Sequence, residues 1–349
     1  MITAADIRQV RLELTQAGVF EKNEARTFGK LVFLLTIAFS LIAVHTVLPL
    51  WGTVLLLPVT ALFLSAAAMI GHEGGHRSFS SNSFRSELLY HFVFPFMGGL
   101  GAIQWKDKHN VRHHGHPNVV GIDDDMELWP LAHTREEHLR AGPIRRFVQR
   151  HAQGWLWWPM TMLFTWSIKV DSIGALVRHA KKHGITRAWV LDATAQVLHY
   201  VAWLVLPSLA FGFLPVFGFY VALFALLSLF LALVFTTGHM GLPIREDGEG
   251  ALDGWELQLD TTRNLILPGW LSFFFVGLDY QIEHHLFPKI PHANLPRAAP
   301  IVQRWIEGMG LTYHRVPYFT AVADVTRYVA NAWDIPAVPV PTPRASLAA

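Results

Sequence analysis

Residues 51–79 read WGTVLLLPVTALFLSAAAMIGHEGGHRSF. Positions 51–70 carry no charge and can cross roughly 30 Å of hydrocarbon as one helix. They run directly into His72-Glu73-Gly74-Gly75-His76. On a helix, residues four apart share a face, so His72 and His76 present two imidazoles at the end of a span. The letters match the H-E-x-x-H pattern of zinc peptidases, in which Glu73 would activate water beside a single metal. The rest of the chain must decide between that chemistry and another.

The preceding stretch, 31–50 (LVFLLTIAFSLIAVHTVLPL), also lacks charge, and the connection near Pro49–Gly52 is tight and neutral. A second pair follows: 188–210 holds Asp192 alone, 212–237 holds no charge, and a neutral turn lies between them. This patterning predicts an all-α integral membrane protein of four spans in two hairpins. Only 15% of the 349 residues are charged, against about 25% in soluble domains. The net charge of +2 is too balanced for a nucleic-acid binder. Without cysteine, disulfides, thiolate zinc sites and cysteine-ligated iron–sulfur clusters are excluded. No cleavable signal peptide is expected, because the first 30 residues are polar and basic.

Both hairpin turns lack Lys and Arg, which places the termini and the central region in the cytoplasm, with a bacterial inner membrane as the expected location. The expected organisation is a cytosolic N-terminal segment (1–30), a membrane domain (31–335) capped by 71–187 and 238–335, and a disordered Pro-rich tail (336–349). Two apolar pieces interrupted by Pro and Gly, 88–105 and 265–278, read as interfacial or re-entrant. Trp155, Trp157, Trp158 and Trp166 suit the headgroup level.

The 19 histidines are clustered. His109, His113 and His114 lie in KHNVRHHGHPN, Gln281, His284 and His285 in DYQIEHHLFP, and His239 directly follows the fourth span. All fall at one membrane face, so spans far apart in sequence deliver them to one plane. Imidazole suits iron, zinc and copper. Eight imidazoles exceed the three that a catalytic zinc takes from protein and suit two ions held close together. His45 and His199, inside spans, suit helix–helix hydrogen bonds. His133, His138, His151, His179 and His183 read as solvated or headgroup-facing.

HEGGH, HNVRHH and QIEHH resemble the three histidine boxes of membrane fatty-acid desaturases. WKDKHNVRHHGHPNVVGIDDD and QLDTTRN…GLDYQIEHHLFPKIPHANLP resemble the front-end branch, in which glutamine opens the third box. The likeness covers roughly 70–315. It implies four spans with a cytosolic helical cap, a di-iron centre and O2-dependent desaturation of a fatty acyl chain. It also implies iron ligation by His72, His76, His109, His113, His114, His239, His284 and His285, with Gln281 in or beside the ligand shell. The family's first box usually has Asp at the position of Glu73, which here reads as a group orienting a ligand histidine. No HPGG haem motif of a fused cytochrome b5 domain is present, so two electrons are expected from an external carrier of ferredoxin or cytochrome b5 type.

A saturated C–H bond offers neither an acidic proton nor an electrophilic carbon, so its cleavage needs an oxidising cofactor. A same-fold hydroxylase or a decarboxylase forming terminal alkenes would share the ligands. A zinc membrane protease and a histidine-rich transporter are more distant alternatives. Trp105, Trp129, Trp255 and Trp270 are candidate walls of an acyl tunnel, or interfacial anchors. Asp123, Asp124 and Asp125 read as a solvated loop, ahead of the alternative that they support the ligands of the second box from behind. Arg145, Arg146, Arg150, Arg178, Lys181, Lys182 and Arg187 follow from the positive-inside bias. Gly74 and Gly75 suggest close approach of other backbone. Neutral imidazoles are required, so activity is expected to fall below about pH 6.5.

Overall fold

The computed structural model describes residues 2–126, 129–246 and 254–337. Four of its helices are long and apolar enough to cross a membrane: span 1 (Glu24–His45), span 2 (Leu50–Gly75), span 3 (Arg187–Phe211) and span 4 (Phe213–His239). Span 1 starts ahead of the charge-free stretch because the Asn23 side chain accepts from the Arg26 N–H at 2.9 Å and so caps the first turn. Span 2 continues past its apolar run to Gly75. His72 therefore rides on the membrane helix, and His76 closes it. Span 3 contains a π-helical stretch, Val201–Val205, ahead of Pro207. Proline has no N–H to give the preceding turn. Only 11% of the apolar window of span 3 is buried in protein, so the remaining side chains suit lipid.

Span 2 packs between spans 1 and 4. Leu34, Ala38, Ala61, Leu64, Leu223 and Leu227 lie in the shared core. Span 2 also lies directly against helix Ser83–His91. A Cβ added at Gly74 would lie 2.7 Å from the Ser86 carbonyl oxygen and 2.8 Å from the Tyr90 nitrogen. Glycine there lets two backbones touch just where the first histidine box is displayed.

The interrupted stretch 88–105 turns back on itself. Ser83–His91 passes into a π-helical segment, Phe92–Gly98, which ends at left-handed Gly99 (φ 67°). The chain restarts as Ala102–Trp105 and continues as Lys106–His113. A broken helix among spans leaves backbone groups that lipid cannot satisfy. Here side chains satisfy them. Lys169 Nζ donates to the Gly98 carbonyl, and His199 Nδ1 to the Phe96 carbonyl at 3.0 Å. On the restarting side, Ser172 Oγ accepts from the Gly101 N–H at 2.8 Å. Asp192, the one charge foreseen in span 3, accepts from the N–H groups of Ala102 (3.0 Å) and Ile103 (2.8 Å). Asp192 thus caps the helix that carries the second histidine box.

The remaining chain forms the cap. Helices Gln153–Thr161 and Phe164–His183 meet at a 63° bend. Of the tryptophans expected at headgroup level there, Trp155 is exposed and Trp157 is buried. Amphipathic helix Leu295–Gly308 packs Ala298, Val302 and Ile306 against Val10 and Leu14 of helix Ala4–Gln16. Two short parallel strand pairs, Val119–Val120 with Arg245–Glu246 and Asn264–Ile266 with Arg315–Pro317, tie distant cap segments together. Of the proposed tail, residues 338–349 lie outside the described residues.

Gly74→Ala is expected to destabilise the protein by about 1–3 kcal/mol through overpacking. Gly29, in span 1 with nothing within 4 Å of an added Cβ, should tolerate Ala or gain from it. Melting temperatures of the two variants in detergent check the contrast.

Candidate metal centre

The histidine clusters converge. His72 and His76 come from the end of span 2, His109 and His114 from helix Lys106–His113 and its cap, and His284 from helix Gln281–Leu286. One ligand atom from each of these five lies within 4.8 Å of every other. His113, His239 and His285 form a second group by the same measure. His72 Nε2 lies 2.6 Å from His109 Nε2 and 3.1 Å from His76 Nε2. The groups adjoin, since the His114 and His285 rings stack with centroids 4.2 Å apart. All eight expected ligands therefore meet in one chamber. Gln281 belongs to neither group. Its side chain is buried under Gly238, where an added Cβ would be 2.6 Å from Gln281 Cγ, and its Nε2 donates to the Leu278 carbonyl at 2.8 Å.

Partners on the outer side orient the rings. His113 Nδ1 meets Asp123 Oδ2 at 3.0 Å. His239 Nδ1 meets the Thr261 carbonyl at 3.1 Å, and His285 Nδ1 meets Gln258 Oε1 at 2.8 Å. Each partner is an acceptor, so each takes the Nδ1 proton and leaves Nε2 as a lone pair aimed inward. Gln258 also donates to the His114 carbonyl at 2.7 Å, linking the second and third boxes.

The inward nitrogens fit metal. His239 Nε2 and both ring nitrogens of His114 and His284 are buried without a hydrogen-bond partner in the protein. Such orphaned groups are rare and costly. A cation that accepts the one lone pair each neutral ring offers removes the cost at that nitrogen. An all-imidazole donor set of this size suits two transition-metal ions better than one.

The fatty acid desaturase family model matches residues 23–317. The chain belongs to the fatty acid desaturase family. It is 30% identical over 261 residues to the Delta(5) fatty acid desaturase fat-4 of Caenorhabditis elegans, covering 71% of this chain and 57% of that one. To the acyl-lipid (8-3)-desaturase of Thraustochytrium sp it is 28% identical over 261 residues, covering 72% and 56%. To the fatty acid desaturase 2-like protein FADS2B of Mus musculus it is 25% identical over 330 residues, covering 92% and 65%. The chain thus spans less than two thirds of the length of these relatives.

Several expectations for this desaturase-family chain change. Asp123 is not in a solvated loop. It is 1% exposed, and its carboxylate binds His113 together with the N–H groups of Asn118 and Asp125. Burial opposes its charge, but His113 and these donors outweigh burial and hold its pKa at about 2. Asp124 and Asp125 are half-buried and pair with Arg112 and Lys108. Glu73 touches no ligand imidazole. Its Oε1 accepts from the His292 backbone N–H at 2.8 Å, and its Oε2 accepts from Thr27 Oγ1 at 3.3 Å. The connection to a ligand runs through the His292 ring, which sequence reasoning passed over. His292 and Gln258 both stand within phrases of family likeness (PHANLP and QLDTTRN), yet no spacing rule marks either. His133, expected in solvent, is 1% exposed beside Trp157. His45 and His199 do bond between helices, to Thr60 (3.0 Å) and Tyr220 (2.7 Å).

A cavity of about 420 Å³ leads to His113 and His239 between Trp129, Trp157, Phe164 and Phe235. Of the four candidate tunnel tryptophans, only Trp129 lines it. Trp105 is buried and stacks on His109 at 4.8 Å, Trp255 packs on Phe287, and Trp270 is exposed.

Asp123→Asn is expected to weaken metal binding by about 10–100-fold at nearly constant shape, as measured by Fe(II) titration. Burial, and then neighbouring imidazoles, hold His114, His284 and His285 well below the ordinary histidine range. Groups with lowered pKa stay neutral as pH falls through about 6.5. His113 is the exception: burial opposes its charge, but Asp123 beside it outweighs burial and raises its pKa. The activity loss on acidification is therefore expected to follow His113 and to begin above the ordinary histidine range. An Asp123→Asn variant whose pH–rate profile did not shift to lower pH would contradict this.

Proposed function

We propose that this chain is a non-haem di-iron desaturase that inserts a C=C bond into a fatty acyl chain. The observation that carries the reading is the pair of adjoining imidazole groups, five and three, of which the second borders a mostly apolar cavity through His113 and His239. The overall reaction takes R–CH2–CH2–R′, O2, two electrons and two protons to R–CH=CH–R′ and two waters. His72, His76, His109, His114 and His284 would hold one iron, and His113, His239 and His285 the other. When bound, the irons would activate O2 for removal of the two hydrogen atoms.

The protein's own part is positioning. Phe164, Phe235 and Trp157 exclude water along the cavity and offer an apolar path for the acyl chain. Asp123, Gln258 and Thr261 keep the imidazoles turned inward. Gln281 fills the space beneath Gly238 and so supports His239. The electrons are proposed to come from a ferredoxin- or cytochrome b5-type carrier. The neutral hairpin turns favour an inner-membrane orientation with the site in the cytoplasm.

The peptidase reading is disfavoured by a specific contact. Glu73 is held by Thr27 and the His292 backbone and so is not free to activate a metal-bound water. Hydroxylase and decarboxylase outcomes share the ligands, but no observation favours them.

Metal analysis of the purified protein should find two irons per chain. Cells expressing it and fed labelled saturated fatty acids should accumulate unsaturated lipid, read by mass spectrometry. His113→Ala or His285→Ala should abolish the product while the protein remains in the membrane. One zinc per chain, or full activity in either variant, would overturn the proposal.

A further inference from the structure

We propose that His292 is a positioning residue for the metal centre, holding His72 in the tautomer that turns Nε2 toward the ions. The inference rests on the di-iron reading above. His292 opens a 3₁₀ turn, His292–Asn294, after Pro291, and is 1% exposed. Its Nε2 lies 3.2 Å from His72 Nδ1. On its other side, His72 directs Nε2 at His109 and His76. A neutral imidazole has one donor and one acceptor nitrogen. If Nε2 of His72 gives its lone pair to metal, its proton sits on Nδ1 and is donated to His292 Nε2. The His292 proton is then on Nδ1, which faces Glu73 Oε1 at 3.7 Å.

The ring is cradled by unusual backbone. Val276 adopts left-handed φ 57°, a strained conformation for a β-branched residue. Val276 and Gly277 border the same cavity as His292. At Gly277 (φ 89°) an added Cβ would lie 2.5 Å from the His292 carbonyl oxygen. Strain of this kind persists where surrounding contacts over-determine it, often at functional sites. Glu73 completes the cradle by accepting from the His292 backbone N–H. Glu73 therefore acts on His72 through an intervening imidazole, while His113 meets its carboxylate directly. Gln also offers an acceptor to His72 Nδ1, whereas Leu and Ala do not.

A cavity of about 320 Å³, bordered by Arg26, Thr27, Lys30 and Phe273, reaches His292. It lies apart from the acyl cavity and can admit a small ring, which makes chemical rescue feasible. The full-length protein in detergent would be titrated with Fe(II). We expect His292→Leu to weaken binding of one iron by about 10–100-fold, the usual cost of losing an orienting partner. His292→Gln should recover most of that loss. His292→Ala should regain iron when millimolar imidazole is added. Chelation by free imidazole would act in the opposite direction. The alanine comparison with and without imidazole stays within one protein, should the leucine variant not accumulate. If wild type binds two irons and the leucine variant binds them equally well, or if neither Gln nor imidazole restores binding, this inference alone is overturned. A wild type that binds no iron overturns it together with the di-iron reading.

Discussion

Eight imidazoles crowded into one buried chamber repel one another, compete for protons and leave nitrogens without partners. That arrangement is costly until cations take the lone pairs. The rest of the structure can be understood as the means of imposing it. Membrane spans supply the coarse placement, since two of them, far apart in the sequence, end at the chamber and deliver His72 and His239. His76 closes span 2 beside His72, and the cap supplies the other five. The outer ring of acceptors then decides which nitrogen faces inward.

The second histidine box shows how much support the placement needs. Its helix restarts after a break among the spans, and nothing in lipid would satisfy the freed backbone. Lys169 and His199 answer the carbonyl end, and Ser172 and Asp192 answer the N–H end. A lysine at the carbonyl end and an aspartate at the N–H end also oppose the helix dipoles in the favourable sense. These polar groups look out of place in apolar helices until the broken segment is set between them. Asp192, an isolated charge in a span, then becomes part of the machinery that aims His109, His113 and His114.

Sequence reasoning reached the four spans and the eight histidines because both rest on strong local signals. A charge-free run of 20 residues has few other uses, and i, i+4 histidines at span ends point one way. It did not reach the orienting residues. Asp123 sits in an acidic run that resembles any solvated loop, and only the fold shows that it is sealed against His113. His292 is one histidine among 19, and its role depends on a contact across 220 residues. Glu73 reads from the sequence as an orienting group, but its contacts to Thr27 and to the His292 backbone were not legible. The span ends also moved: span 2 reaches Gly75 because glycines let it lie against Ser83–His91, which local hydropathy does not register.

The two imidazole groups are unequal, and the inequality extends to their supports. The second group is held by a carboxylate, an amide oxygen and a backbone carbonyl, all short contacts to Nδ1 atoms. In the first group, the shortest outer contact of His72 is another imidazole, with Glu73 one ring further away. A carboxylate in direct contact makes its ligand more basic than a neutral ring does. Asp123 lies beside the acyl cavity, whereas His292 lies beside the smaller cavity bounded by Arg26 and Lys30. The carboxylate-supported His113 therefore faces the larger, mostly apolar cavity, and the imidazole-supported His72 lies toward the smaller one. Two ions held there would be electronically distinct through residues that never touch them as well as through the unequal number of imidazoles.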